Sequence, residues 1–254
     1  MKHKDYYSDG YIFDLSQKLC SVMPDFDEKS FTHSLIGQLD DKELLARLDF
    51  IVDAMEKAMT CDYEKTIKAF FDILGPELEQ PEGMFQLGWW LWPVGRYVER
   101  HGNEDWRLSL SFLKELTKRF TGEFAIRPLL REHPQEVMDE LIKWTLDDNV
   151  HVRRLASEGV RTRLPWAKKL SAALDEFERY TAILTNLKDD PERFVQKSVG
   201  NNLNDLYKDA PEKADLIISQ WKNSGHSKAQ DWIIKHGRRN QRCLPPCAPK
   251  SPSS

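Results

Sequence analysis

The chain predicts an all-α fold built from repeated helical pairs, and three observations predict it. Apolar residues recur at helical spacing through almost the whole body of the chain. No period-two alternation or Asn-Gly hairpin signal interrupts them. One segment also echoes another at a fixed distance: DDNVHVRRLASEGVR begins at Asp147 and DDPERFVQKSVGNNLNDL at Asp189, an offset of 42–43 residues. That period falls within the roughly 40–47 residues of HEAT-type helical pairs.

The periodic segments run in order. Phe13, Leu15 and Leu19 are followed by Leu44, Leu45, Leu48, Ile51, Val52 and Met55, then by Thr66, Ile67, Phe70, Phe71 and Leu74. Leu108, Leu110, Phe112, Leu113 and Leu116 continue the pattern, then Val137, Leu141, Ile142 and Trp144. Breakers punctuate it at Pro24, Gly75-Pro76, Pro81, Pro93, Gly102, Gly122, Pro128, Pro134, Pro165, Pro191 and Pro211. The spacing implies helices of about 10–16 residues joined by short turns. Asp190-Pro191 reads as an N-cap followed by proline at the first helical position, and Asp148-Asn149 as a cap one repeat earlier. Of Trp89, Trp90 and Trp92, at least two rings are expected between helices. Arg127-Pro128 reads as structural.

With 254 residues and 40% hydrophobic content, the chain can bury a sizeable core. One helical-repeat domain is expected over residues 1–237. From Arg238 the composition turns to RRNQRCLPPCAPKSPSS, which lacks periodicity and reads as a disordered or aberrant tail. No apolar run approaches the roughly 18–20 residues of a membrane span. MKHKDYYSDG lacks the apolar core of a signal peptide, so a cytoplasmic location is expected. The four cysteines form no CxxC pair and the histidines show no ligand spacing, so no metal is expected. No GxGxxG or GxxxxGK[ST] loop is present, and no organic cofactor is expected.

The net charge of −4 hides an asymmetry. Residues 1–100 carry 11 basic against 19 acidic residues, whereas 101–254 carry 26 against 22. Between 151 and 169, Arg153, Arg154, Arg161, Arg163, Lys168 and Lys169 oppose the single acid Glu158. Such a patch suits a polyanion, although charge runs are commonly just solvated faces. On a helix, Val152, Leu155, Ala156 and Gly159 share one face. Arg154, Glu158 and Arg161 share the opposite one, with His151 at its edge. That stripe is either a surface salt-bridge chain or a pair of cations flanking a working carboxylate. Shifted by 43 residues, Arg154 aligns with Lys197, Glu158 with Asn201 and Arg161 with Asn204, so polar groups recur on one face. His151, Arg163, Lys197 and Asn201 are the further candidates for backbone-phosphate contacts.

Two segments carry a family resemblance, TGEFAIRPLL at 121–130 and HVRRLASEGVRTRLPW at 151–166. WPVGRYVERHG (92–102), DDPERFVQKSVGNNLNDL (189–206) and WIIKHG (232–237) extend it. Together they resemble the bacterial DNA alkylation repair family, in the AlkC branch of the AlkC/AlkD HEAT-like glycosylases. The resemblance implies a HEAT-like solenoid with a concave DNA-binding face. It implies a monofunctional DNA glycosylase acting, as a monomer, on double-stranded DNA that contains alkylated bases. The implied reaction releases cationic N3-methylated bases, 3-methyladenine and 3-methylcytosine, and leaves an abasic site. By the same resemblance Glu158 is the central catalytic carboxylate with Glu123 beside it, Trp166 lines the lesion site, and Arg154 and Arg161 grip the DNA backbone. The rival expectation is a non-catalytic HEAT-like protein that binds damaged or branched DNA, or a protein partner.

Elementary chemistry supports such an assignment. An N3-methylated base already carries a positive charge, so it can leave without being protonated. What remains for the protein is to stabilise an oxocarbenium-like sugar and to orient a water, both tasks for a carboxylate. An indole face beside a cationic base adds cation–π attraction.

Overall fold

The computed structural model of the chain describes residues 3–223 and 225–241. Those residues form fifteen α-helices and no strand. In order they are α1 (Asp9–Val22), α2 (Glu28–Leu35), α3 (Leu44–Ala58), α4 (Tyr63–Ile73), α5 (Met84–Leu87), α6 (Trp92–His101), α7 (Trp106–Thr117) and α8 (Ile126–Glu132). After them come α9 (Pro134–Trp144), α10 (Val150–Glu158), α11 (Ala172–Asp175), α12 (Phe177–Asn186), α13 (Arg193–Asp209), α14 (Pro211–Asn223) and α15 (Lys228–Gly237).

Short polar side chains start many of these helices by accepting an otherwise orphaned N–H. Asp27 caps α2, Asp62 caps α4, Asp105 caps α7, Asn149 caps α10 and Ser227 caps α15. Prolines open α9 and α14, where no N–H is required. The C-terminal half stacks in two rows. Helices α9, α12 and α14 pack on one another in the first row, and α10, α13 and α15 pack in the second. Their pairing α9/α10, α12/α13, α14/α15 is the repeat seen in the sequence, and Val150 and Arg193, the first residues of α10 and α13, are 43 residues apart.

A continuous core runs through both halves, from Ile12, Leu15 and Leu19 to Ile217, Trp221 and Ile233. Phe13 and Leu45, which keep the apolar period, face solvent instead. Trp92 is buried and Trp89 stacks on Tyr6 at 4.9 Å, so aromatic rings fill the junction between the N-terminal helices and α6. Gly159 permits the closest approach between α8 and α10, because a Cβ there would come within 2.8 Å of Ile126 Cγ2.

Three expectations are corrected. Helix α13 begins at Arg193, two residues late, because Asp190 turns the chain by accepting from Glu192 N and then binds Arg153 at 2.7 Å. Helix α8, which begins within TGEFAIRPLL, has only seven residues, short of the expected 10–16, with Thr121–Ala125 outside it. The tail expected from Arg238 begins with residues held on the repeats. Arg238 donates to Tyr207 Oη, and Asn240 donates to Asn204. The remainder of that expectation, residues 242–254 with Cys243 and Cys247, lies outside the described residues.

Candidate active site

Helix α10 buries Val152, Leu155 and Ala156 as its period requires. Its opposite face is covered as well, because α13 packs across it. Glu158 is therefore only 5% exposed, and every oxygen of its carboxylate is engaged. Oε1 accepts from Arg161 Nη1 at 2.8 Å and faces Arg154 Nη2 at 3.5 Å, while Oε2 accepts from Ser198 Oγ at 2.6 Å. Arg161 continues through Nε to Asp205 Oδ2 at 2.8 Å. Arg154 continues through Nη1 to Glu123 Oε2 at 2.6 Å and to Thr121 Oγ1 at 3.1 Å. Two guanidinium groups thus alternate with three carboxylates in the order Glu123, Arg154, Glu158, Arg161, Asp205.

Electrostatics differ along this chain. Burial pushes Glu158 up, but Arg154, Arg161 and the Ser198 hydroxyl outweigh it and hold the carboxyl below its ordinary range. Asp205 goes the other way, because burial raises it further than Arg161 pulls it back. Burial disfavours the charge on Arg161, yet its two carboxylate partners lift its pKa above the ordinary arginine value. Glu123 is 8% exposed. Its Oε2 takes Thr121 Oγ1 at 2.7 Å together with Arg154, and Oε1 has no protein donor among the described residues. Asp205 Oδ1 is the other carboxylate oxygen of this chain without a protein donor among the described residues.

The segment between α10 and α11 carries Trp166, 66% exposed, with a left-handed φ of 62°. A bulky residue held there stores on the order of 1–2 kcal/mol of strain, so the surroundings must impose it. Buried Arg127 ties the segment from beneath, donating to the carbonyls of Gly159, Arg161 and Lys168 at 3.2, 2.8 and 2.7 Å. Asp209 ties it from α13, accepting from Arg163 Nη2 at 2.7 Å and from Lys169 Nζ at 2.5 Å. The indole lies 6.4 Å from Trp92 and tilted by 23°, and Trp92 stacks in turn on Phe124 at 5.8 Å. An aromatic shelf therefore begins one residue after Glu123 and ends on an exposed indole.

The hydrogen bonds of Arg163, then those of Lys169 and Thr162, hold Asp209 down at about 2 against the effect of burial. A depressed carboxyl stabilises the fold above the unfolded value near 4 and loses that contribution as pH falls towards 2. Because Arg163 and Lys169 are exposed, the contribution is on the order of 1 kcal/mol. The gap in urea midpoint between the wild type and Asp209→Asn is expected to be widest above pH 5 and to shrink steadily below pH 4. A gap that does not change with pH would contradict it.

Several candidate residues sit differently from their expected places. Arg154 and Arg161, expected to stand open towards phosphates, are bound to carboxylates within the protein. His151 is corrected outright. It is 1% exposed, its Nε2 donates to Gln80 O at 3.0 Å, and Phe194 packs edge-on against its ring. Burial, with Arg154 nearby, lowers its pKa, and its bond to Gln80 anchors the 75–83 loop. Arg163 is exposed but paired, and Lys197 is exposed. Asn201 accepts from His236 Nε2 and Arg239 Nη2 at 3.0 and 3.1 Å. Sequence reasoning missed Thr121, Ser198, Asp205 and Asp209. The repeat offset was a usable signal for two of them, since Ser198 lies 40 residues after Glu158 and Asp205 lies 44 after Arg161.

Among the described residues no group of three His, Cys, Asp or Glu side chains could hold a metal ion. No described helix is long and apolar enough to cross a membrane.

Residues 95–248 match the DNA alkylation repair enzyme family. The chain is 34% identical over 236 residues to the uncharacterized protein YhaZ of Bacillus subtilis (strain 168), covering 93% of this chain and 63% of that protein. Among solved structures it is similar to the Pseudomonas fluorescens alkylpurine DNA glycosylase AlkC bound to DNA containing an abasic site analog. That likeness has a TM-score of 0.81 at 30% identity and covers 95% of this chain and 65% of the other. The shared fold is a HEAT-like helical repeat. The chain thus spans just under two thirds of the length of both relatives.

Proposed function

The chain belongs to the DNA alkylation repair enzyme family, and on that premise we propose that it is a DNA glycosylase. Its substrate is duplex DNA carrying a cationic N3-methylated base, 3-methyladenine or 3-methylcytosine. The observation that carries this reading is the unpartnered Oε1 of Glu123, one residue before Phe124, where an aromatic shelf begins that ends on a strained, exposed Trp166. Strain of that kind survives where a side chain is required by function.

In the proposed reaction the C1′–N bond breaks with its electron pair going to the base, which neutralises the ring. The base then leaves without an acid. Glu158, kept ionised by Arg154 and Arg161, opposes the positive charge growing on the sugar. Glu123 orients a water through Oε1 and takes its proton as the water oxygen bonds to C1′. Trp166 favours the charged base over neutral ones by cation–π attraction. Arg154 and Arg161 act by setting the charge of the carboxylates, and phosphate contacts fall to the exposed Arg163, Lys168, Lys169 and Lys197.

Incubating methylated duplex DNA with the protein and assaying the supernatant tests this directly. Free 3-methyladenine or 3-methylcytosine with matching abasic sites is expected. Tight, salt-sensitive binding without any released base would favour the non-catalytic alternative. Trp166→Gly gives a sharper check. Glycine accepts a φ of 62° without strain, so the variant is expected to unfold at the same temperature or slightly higher. Its rate of base release is expected to fall roughly five- to thirtyfold, in line with the loss of about 1–2 kcal/mol of cation–π attraction.

A further inference from the structure

Equivalent positions in successive repeats do different electrostatic work. At the end of α10, Glu158 lies between the cations Arg154 and Arg161 and neutralises them. The position 43 residues later is Asn201 on α13, and it too receives two donors. His236 Nε2 of α15 lies 3.0 Å from its Oδ1, and Arg239 Nη2 lies 3.1 Å from the same atom. Here the acceptor is a neutral amide. No carboxylate lies at ion-pair distance from Arg239 or Lys197 among the described residues, although Asp205 faces Arg239 and Glu82 and Glu192 share a cavity with Lys197.

Packing fixes this arrangement. Gly200 lets α15 close on α13, because a Cβ there would meet His236 Cδ2 at 2.9 Å. His236 stacks on Trp232 at 4.8 Å with the rings 10° apart, and the Arg193 guanidinium lies over that indole at 4.0 Å. Arg239 is fixed by a second bond, from Nη1 to His236 O at 2.7 Å. The groups facing His236 are Lys197 and Asn201 from α13 and Arg239 from the turn after α15. Arg193 reaches it through Trp232, and Asp205 faces Arg239 from α13.

We propose that Lys197, His236 and Arg239 form a phosphodiester-binding step one repeat beyond the carboxylates, at which a backbone phosphate oxygen takes the place of Asn201 Oδ1. This inference rests on the reading of the chain as a DNA-directed enzyme. Two donors already converge on one oxygen, which is the geometry a phosphate oxygen accepts. The site is also proton-linked. Burial, then Arg239 and Lys197, keeps the free imidazole below its ordinary range. A bound phosphate adds negative charge and raises it, so binding takes up a proton. Affinity therefore rises as pH falls through the value of the bound form and levels off below that of the free form.

Fluorescence anisotropy with a labelled abasic-site duplex, read against salt and pH, tests it. Wild-type affinity is expected to strengthen by roughly three- to tenfold from pH 8 to pH 6, and His236→Gln is expected to lose that rise. Arg239→Gln, at an exposed position, is expected to bind several-fold more weakly and to lower the salt slope by about one unit. Asn201→Asp restores the carboxylate of the preceding repeat. It is expected to weaken DNA binding about tenfold or more while the thermal midpoint stays level or rises, which misfolding would not produce. Wild-type binding with Asn201→Asp and Arg239→Gln unchanged overturns this inference alone. Failure of the wild type to bind any duplex overturns it together with the reading it rests on.

Discussion

Glu123→Gln is expected to reduce base release from methylated duplex DNA by about 10²–10⁴-fold, the range associated with loss of a positioned proton acceptor. The amide retains the size and the hydrogen-bonding capacity of the carboxylate, so the thermal midpoint and the affinity for an abasic-site duplex are expected to stay near wild type. Glu158→Gln gives a different signature. Its carboxylate is saturated by Arg154, Arg161 and Ser198, so neutralising it leaves buried guanidinium charge and lowers the melting temperature along with the rate. Single-turnover release, scored beside thermal unfolding for both variants, separates the two. Equal rate losses with equal destabilisation would remove the division of labour between water activation and charge stabilisation. A Glu123→Gln enzyme of undiminished rate would remove Glu123 from the chemistry.

Arg161→Met is expected to be the most damaging substitution for stability. Arg161 is the link between Glu158 and Asp205, both almost fully buried, and without it two negative groups face each other in a medium that solvates neither. Removing one partner from a buried pair typically costs about 3–5 kcal/mol. For a chain of this size that corresponds to a fall in melting temperature of roughly 6–20 °C. Adding Asp205→Asn to the same protein is expected to return part of the loss, because only one carboxylate then remains to be accommodated. A double variant as unstable as the single one would locate the damage in lost packing of the arginine stem.

How much of this was legible beforehand follows from the range of the interactions. The helices, their caps and the repeat period arise from near neighbours, so Asn149 ahead of α10 and Leu155 in its core could be read from spacing. Asp190 could not, since its turn is fixed by Arg153 from the previous repeat. The stripe Arg154–Glu158–Arg161 was visible as a stripe. Its burial was not, because a helical wheel has one core face and cannot show that α13 covers the other. His151 failed for the same reason, as the loop that buries it lies some 70 residues earlier and pairs through a backbone carbonyl. Trp166 was found by resemblance, but its left-handed backbone is imposed by Arg127 and Asp209 from separate helices, and no local rule anticipates a tryptophan there.

The alternation from Glu123 through Arg154, Glu158 and Arg161 to Asp205 has a consequence for modularity. Tandem-helix proteins generally tolerate having units added, removed or shuffled, since each unit touches only its immediate neighbours. Here one uninterrupted circuit begins ahead of α8, crosses α10 and ends on α13, so three successive units must keep their order and register for Glu123 and Asp205 to find their arginines. Splicing a consensus unit between α10 and α13 would leave Arg161 without Asp205 on one side of the cut and Asp205 without its cation on the other. The middle of this protein is therefore a single block, in which an added or deleted unit breaks the circuit.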